Sequence, residues 1–189
     1  MTYFRFSTQK TIQAVGVLLR LARGRMGRLR LLKLLYIADR DSLREFRRPI
    51  IGCRTVAMKN GPLHSEVFNL IKGEHMQEPA WSEHIHGDGC EVTLEKDPGV
   101  SELSAAEVRT LTQTFEKYAT TDEWDLVEIT HGFPEWSENY PDKAADTSRT
   151  IPFRDLIRAV GLAAEEQAIL QEAQEEFEVS QMLACGGQR

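Results

Sequence analysis

The segment from Leu29 to Phe46 constrains the fold more than any other stretch of the chain, because it is apolar around most of its circumference when written as a helix. Four apolar side chains mark one helix face: Leu31, Leu34, Leu35 and Ala38. Four more widen this face: Leu32, Tyr36, Leu43 and Phe46. A helix of this kind is buried among other elements. The sequence therefore predicts an α-dominated domain assembled around a central helix.

Further helices are predicted where apolar residues recur at helical spacing. They cover about residues 8–23, 63–72, 105–118, 124–130 and 163–183, with shorter helical turns after Pro134 and Pro152. Gly61 as N-cap and Pro62 at the first helical position favour a helix start at residue 63. Ser104 and Glu107 have the spacing of a capping box at the start of another helix.

A β element is predicted between Trp81 and Glu95, where apolar and polar residues alternate. Residues 86–89, with the sequence His-Gly-Asp-Gly, supply turn chemistry between the two arms. The predicted fold class is therefore mainly α, or α+β in the loose sense. We expect a compact helical bundle with one small β-hairpin or short sheet.

The composition favours an ordinary globular protein of a reducing compartment. With 189 residues, of which 41% are apolar, the chain is long enough to bury a core. No stretch approaches the roughly 18–20 apolar residues that cross a bilayer, and residues 1–10 lack the pattern of a secretory signal. The three cysteines are too few and too widely spaced for a disulfide framework. We therefore expect a cytoplasmic location and no membrane association.

The charges are distributed unevenly along the chain. Residues 1–60 contain 14 Lys or Arg and 3 Asp or Glu, whereas residues 61–189 contain 9 and 26. A basic half is compatible with a regulatory protein that binds nucleic acid, but the exposed aromatic residues that a single-strand binder interleaves with its cations are missing here. The interpretation we favour is that the two halves neutralise each other within one fold, so nucleic acid is not the expected partner.

Candidate catalytic and metal-binding residues are weakly supported. His84, His86 and Cys90 lie close together on the predicted hairpin, but a fourth zinc ligand is missing. Asp39, Asp41 and Glu66 offer carboxylates without forming a pair on one helix face. Because no nucleophile or phosphate-binding motif accompanies them, we expect no enzymatic activity, no metal and no cofactor. A metal-dependent hydrolase stays the less favoured alternative.

Three separated motifs are more specific in combination. They are Leu-Tyr-Ile-Ala-Asp-Arg at residues 35–40, Gly-Pro at residues 61–62, and Thr130-His131 followed by Trp136. Together they resemble the Panacea domain of the SocA-like antitoxin family, which includes phage-associated proteins, over about residues 10–140. The resemblance implies a compact helical domain, which we assign to residues 1–150. Residues 151–189 lie mostly beyond the resemblance, and we expect them to form a C-terminal helical extension that packs on the domain or extends it.

The resemblance also implies a function, which is the neutralisation of a cognate toxin by direct protein–protein contact. In the founding type of the family, the antitoxin also delivers its toxin to an ATP-dependent protease. For this chain that adaptor role, like a homodimer, is an open alternative.

The candidate partner-binding surface surrounds the end of the central helix. The exposed polar residues expected to form its rim are Asp39, Arg40, Arg44, Lys59 and Asn60, with Tyr36 as the anchor. The alternative for Tyr36 is that it packs inward with its hydroxyl group hydrogen-bonded. Gly61 and Pro62 are expected to set the backbone geometry of a turn.

Overall fold

Nine helices and six short strands make up the part of the chain that the structure, a computed structural model, describes: residues 3–140 and 147–186. The helices are α1 (Thr8–Leu21), α2 (Arg28–Phe46), α3 (Ser65–Ile71), α4 (Glu78–Ser82), α5 (Ala105–Lys117), α6 (Glu123–His131), α7 (Pro134–Ser137), α8 (Phe153–Ala159) and α9 (Glu166–Gly186). The strands are β1 (Arg25–Gly27), β2 (Thr55–Met58), β3 (Gly61–His64), β4 (Ile85–Asp88), β5 (Glu91–Leu94) and β6 (Arg149–Ile151).

Helix α2 lies at the centre of the fold, as its apolar circumference predicts. It packs against α1, α5, α6 and α8. On one side, Leu34 belongs to the main core together with Leu18 of α1 and Leu111 of α5. On the other side, Tyr36 and Leu43 of α2 belong to a second core that α8 and α9 complete. Helix α2 is therefore covered on both sides, and all of residues 31–39 are buried.

The strands form two antiparallel sheets of three strands each, where the sequence predicted one hairpin or short sheet. The order is β1-β5-β4 in one sheet and β3-β2-β6 in the other. With 54% helix, the fold is mixed α+β, consistent with a mainly α protein but not a pure bundle. The predicted hairpin exists as β4–β5, although Trp81 lies in α4 and the turn falls at Gly89 and Cys90.

The prediction that Gly61 and Pro62 begin a helix is wrong. They begin strand β3, whose pairing with β2 sets Gly61 opposite Met58 and Pro62 opposite Ala57, and the helix starts only at Ser65. Gly61 has a φ angle of +90°, which an α-helix does not contain. Pro62 is tolerated in β3 because this strand lies at an edge of its sheet and needs fewer backbone donors.

Ion pairs join the basic first third of the chain to the acidic remainder, as the favoured interpretation of the charge distribution requires. Six such pairs occur among the described residues: Lys10–Glu107, Arg20–Asp97, Arg40–Glu135, Arg47–Glu165, Arg48–Glu172 and Arg48–Glu176. Three of them tie residues 47–48, just after α2, to α9 or the residue before it. The ion pairs that neutralise the basic first third of the chain therefore also hold α9 against the rest of the fold.

The C-terminal elements pack on the same body as the rest of the fold. Strand β6 pairs with β2, so the predicted domain boundary at residue 150 falls inside a strand. The polar composition of residues 139–149 predicts a loop before Pro152. Residues 141–146 of this loop lie outside the described part of the chain, and Arg149 belongs to β6. Among the described helices, none combines the length and the apolar character needed to cross a lipid bilayer.

Candidate functional site

Asp39 is buried, with 4% of its surface exposed, so its predicted place on an exposed polar rim is wrong. Its Oδ1 accepts the backbone N–H of Ile51 at 2.8 Å, and its Oδ2 accepts Nε2–H of His64 at 2.9 Å. The carboxylate therefore ties α2 to the segment that follows it and to strand β3. These two partners lie 12 and 25 residues away in sequence, so local patterning gives no indication of the burial.

Tyr36 packs inward, which is the second of the two predicted alternatives. It is 1% exposed, and its hydroxyl group donates to Oε1 of Glu135 at 3.1 Å. Burial raises the pKa of the Tyr36 phenol well above its usual value, and the negative charge of Glu135 adds to this effect. Tyr36 is thus a member of the second core and presents no accessible anchor to a partner.

The two predicted arginines differ in their surroundings. Arg40 donates from Nε to Oε1 of Glu135 at 2.9 Å and from its guanidinium group to the carbonyl of Ala159 at 3.2 Å. Its guanidinium carbon also lies 4.2 Å from the ring centre of Phe133. Arg44 is exposed and pairs with Asp41 of its own helix at 2.8 Å. Arg40 is therefore engaged within the fold, and only Arg44 of this pair faces solvent.

Lys59 and Asn60 are exposed, as predicted, and form the two-residue tip of the β2–β3 hairpin. The hairpin is held in place by two aromatic residues of the third motif. His131 donates from Nε2 to the carbonyl of Lys59 at 3.1 Å, and Trp136 donates from Nε1 to the carbonyl of Met58 at 2.9 Å. Their rings stack with a centroid separation of 4.0 Å. The motif residues thus position the hairpin tip.

Gly61 and Lys33 meet beneath this hairpin. A Cβ atom on Gly61 would lie 2.5 Å from Oγ1 of Thr130 and 3.0 Å from Nζ of Lys33, so only glycine fits. Lys33 is fully buried and donates to the carbonyl of Pro62 at 2.8 Å. Burial lowers the pKa of Lys33 from 10.5 to about 7. Among the described residues, no carboxylate forms an ion pair with Lys33.

An open cleft of about 580 Å³ lies between the β2–β3 hairpin, the start of α2 and the start of α6, and we call it the hairpin cleft. Its apolar lining consists of Leu29, Leu32, Met58, Leu63, Phe68 and Trp124. Trp124 is 58% exposed, which is unusual for so large an apolar side chain. The volume and the apolar lining are those of a binding pocket.

Comparison with protein families matches residues 31–137, which is more than half of the chain, to the family described as "Antitoxin SocA-like, Panacea domain". The chain belongs to the SocA-like antitoxin family. No curated protein and no solved structure matches it. Membership supports an antitoxin-type role and suggests a role other than catalysis. The matched part of this Panacea domain contains the β2–β3 hairpin, the residues that hold it and most of the hairpin cleft, whose residues 27–29 lie before it.

The carboxylates and the lysines of the hairpin cleft lie at opposite ends. Glu91 and Glu123 lie at the end formed by the start of α2: Glu91 pairs with Gly27 across the β1–β5 ladder, and Oε2 of Glu123 lies 3.1 Å from where a Cβ on Gly27 would be. Carboxylates are favoured there by the positive end of the helix dipole. Lys59, with Lys33 buried beneath it, lies at the opposite, hairpin end. The cleft of this Panacea domain therefore has its two carboxylates, with Arg28 beside them, at one end and its two lysines at the other.

The sequence did not indicate several residues that the structure brings into the cleft. For Lys33 a signal was present. It interrupts an otherwise apolar run, and a lysine at such a position indicates a buried lysine side chain. Trp124 lies in the stretch that resembles the family, but its exposure follows from the position of α6 against α2. Phe68 and Arg28 are neighbours only in space, with the guanidinium group 5.8 Å from the ring centre.

The geometry gives little support to the two alternatives, a metal site and acid–base catalysis. Among the residues that the structure describes, no group of three or more His, Cys, Asp and Glu side chains could hold a metal ion. His84 contacts the carbonyl of Lys96, and Cys90 sits at the turn of the β4–β5 hairpin. Of the carboxylates weighed for acid–base catalysis, Asp39 is buried against His64, and Asp41 is paired with Arg44.

Proposed function

We propose that this chain is an antitoxin that neutralises a cognate toxin by direct binding, and that the hairpin cleft is the surface that contacts the toxin. The observation that carries the proposal is that the motif residues hold one wall of the cleft in place. Gly61, His131 and Trp136 all serve to fix the β2–β3 hairpin, and the hairpin forms one wall of an open apolar cleft. Residues that carry the resemblance to the family thus maintain this cleft.

Trp124 is the side chain best suited to anchor a partner. Binding energy at protein interfaces concentrates in a few large residues, tryptophan foremost, when they become fully desolvated in the complex. Trp124 exposes 58% of its surface at the mouth of the cleft, and the polar residues Lys59 and Asn60 flank it across the opening. This combination of an apolar centre and a polar rim is typical of protein–protein interfaces.

Only Lys59 and Asn60 of the predicted partner-binding residues belong to this surface. Arg44 is exposed on another side of α2, whereas Tyr36, Asp39 and Arg40 make contacts within the fold. A role of those three residues in toxin binding would be indirect, through the position of α2. Delivery of a toxin to a protease stays a prediction from the resemblance, since no described feature favours it.

The test is a growth assay with the toxin that this chain captures. Tagged chain is purified from its native host at moderate salt, and a stoichiometric co-purifying protein is identified by mass spectrometry. We expect this protein to arrest growth when it is expressed alone and to become harmless when it is co-expressed with the chain. A co-purifying protein that has no effect on growth, or whose toxicity the chain leaves unchanged, contradicts the proposal.

Variants of the chain then test the surface. Trp124→Ala is expected to abolish the rescue of growth, because removal of an anchor of this kind costs about 2–4 kcal/mol of binding free energy. Phe46→Ala is the matched control, since Phe46 is also a large exposed aromatic residue but lies at the far end of α2. Equal rescue by both variants would move the toxin contact away from the cleft.

A further inference from the structure

We propose that the hairpin cleft selects a toxin segment that combines one bulky apolar side chain with a neighbouring carboxylate. The apolar side chain seats against Trp124 and Phe68, and the carboxylate lies at the hairpin end, above Lys33 and beside Lys59. The inference rests on the proposed function, because it names the chemistry of the partner that the same cleft accepts.

The apolar half of the preference follows from the lining. Phe68 and Trp124 belong to α3 and α6, and Leu29, Leu32 and Leu63 lie with them in the lining. A large aliphatic or aromatic side chain placed there buries its own surface and that of Trp124 together. A cleft of about 580 Å³ is large enough for such a side chain with part of its backbone.

The preference for a carboxylate follows from a buried lysine that the described part of the fold leaves without a countercharge. Lys33 is fully buried, and the hydrogen bond that it makes among the described residues goes to a neutral carbonyl group, that of Pro62. Among the described residues, neither Lys33 nor Lys59 forms an ion pair with a carboxylate. A cation in surroundings of low dielectric constant acts over a longer distance than one in water, so the hairpin end of the cleft attracts negative charge. A carboxylate of the partner placed there supplies the missing countercharge.

The opposite end of the cleft sets the direction of binding. Glu91 and Glu123 repel a second carboxylate at the start of α2, and Arg28 is the single cation that lines the cleft at that end. A segment with its carboxylate at the hairpin end thus avoids both glutamates, whereas the reversed segment faces them. Like charges placed together at an interface act against the wrong partner or orientation.

The test selects peptides from a random library displayed on phage, with the purified full chain as bait. We expect the selected peptides to combine Trp, Phe, Leu or Met with an adjacent Asp or Glu. Lys59→Glu should weaken binding of a selected peptide by about tenfold or more. Arg109→Glu is the matched control, because it makes the same charge change at an exposed residue of α5 outside the cleft. Selected peptides without acidic residues, or equal effects of the two substitutions, overturn the proposal, as does a library that yields no binder.

Two native side chains report whether a selected peptide occupies the cleft. Trp124 is exposed, whereas Trp81 and Trp136 are buried, so acrylamide quenching of tryptophan fluorescence reports chiefly on Trp124. We expect bound peptide to reduce this quenching. Cys90 is exposed and lines the cleft, and in a Cys185→Ser variant its reaction with a maleimide should slow about tenfold on binding. Unchanged quenching and unchanged labelling place the peptide elsewhere and overturn the proposal.

The peptide experiment and the growth assay fail independently of each other. If the growth assay succeeds but Lys59→Glu and Arg109→Glu rescue equally, the chain is an antitoxin whose cleft does not select a carboxylate. If acidic–apolar peptides bind in the cleft but the co-purifying protein is harmless, the selectivity is correct and the antitoxin function is wrong.

Discussion

Gly61 and Lys33 show how closely single residues are fitted beneath the β2–β3 hairpin. The hairpin backbone approaches α2 and α6 so closely that a methyl group at position 61 has no space. The same approach covers the ammonium group of Lys33, whose hydrogen-bond partner in the described part of the chain is the carbonyl of Pro62. Substitution of either residue should therefore change the free energy of unfolding strongly, with a loss at Gly61 and a gain at Lys33.

Gly61→Ala is expected to lower the free energy of unfolding by about 2–4 kcal/mol, because it combines an unfavourable positive φ angle with a clash against Thr130. Gly73→Ala separates the two effects. Gly73 also has a positive φ angle, +72°, but a Cβ atom there would meet nothing within 4 Å, so its cost is limited to about 1–2 kcal/mol. Urea denaturation of both variants measures the difference, and equal losses would show that the close approach is absent.

Lys33→Met is expected to stabilise the protein at neutral and acidic pH. Burial lowers the pKa of Lys33 in the folded state to about 7, whereas the pKa of lysine in an unfolded chain is about 10.4. Between these values the unfolded state binds more protons, so the stability of the wild type rises with pH. The advantage of the methionine variant is therefore on the order of 2–4 kcal/mol at pH 7 and below, and it disappears towards about pH 10.

Urea denaturation at several pH values measures this advantage. Lys117→Met, at an exposed position of α5, provides the baseline for the loss of a surface lysine. A constant difference between wild type and Lys33→Met across the pH range would show that Lys33 is not desolvated in the folded protein.

At this scale the sequence was a poor guide to exposure. Residues 39–41, Asp-Arg-Asp, have the composition of a solvated helix end, yet Asp39 is buried by Ile51 and by His64 of a distant strand. Lys59 and Asn60, in contrast, lie in a two-residue turn whose exposure follows from local geometry alone. Burial that depends on residues far away in sequence is not encoded in a local pattern.

Among the elements, α9 is held to the body by its first half. Ile169 and Ala173 are buried in the second core, whereas Phe177, Val179 and Met182 further along the helix are exposed. Ile169→Ala is expected to lower the free energy of unfolding by about 2–4 kcal/mol through the cavity it leaves. Phe177→Ala should change it by no more than about 0.5 kcal/mol. Thermal or urea denaturation distinguishes them, and a large effect of Phe177→Ala would mean that the second half is packed as well.

The elements differ in how well the sequence predicted them. Helices α1, α2 and α5 were predicted to within a few residues because periodicity and caps are local, and the Ser104–Glu107 capping box is present. Strands β1 and β6 were missed. Each has three residues and exists because a partner strand more than sixty residues away supplies its hydrogen bonds. Short strands of this kind have too few residues to show alternation.

Across the whole molecule, the charges are arranged for internal pairing. Five basic residues of the first third are engaged in ion pairs with the acidic remainder, and the net charge of the chain is −6. We therefore expect no saturable binding to a DNA duplex up to about 10 μM protein at about 0.15 M salt. Fluorescence anisotropy with a labelled duplex tests this. Tight binding that weakens steeply with added salt would favour the nucleic-acid alternative instead.

The contact between the two ends of the chain has a consequence for its synthesis. The ring of Phe4 lies edge-to-face against Phe153, with centroids 5.9 Å apart, and the backbone N–H of Arg5 donates to Glu176 at 3.0 Å. A nascent chain exposes its N-terminal residues first, and domains generally fold as units while synthesis proceeds. Phe4 can pack against Phe153 only after residue 153 has left the ribosome, and Arg5 can bond to Glu176 only after residue 176 has done so. The second core therefore closes only after this part of the chain has been synthesised, although its N-terminal residues were exposed first.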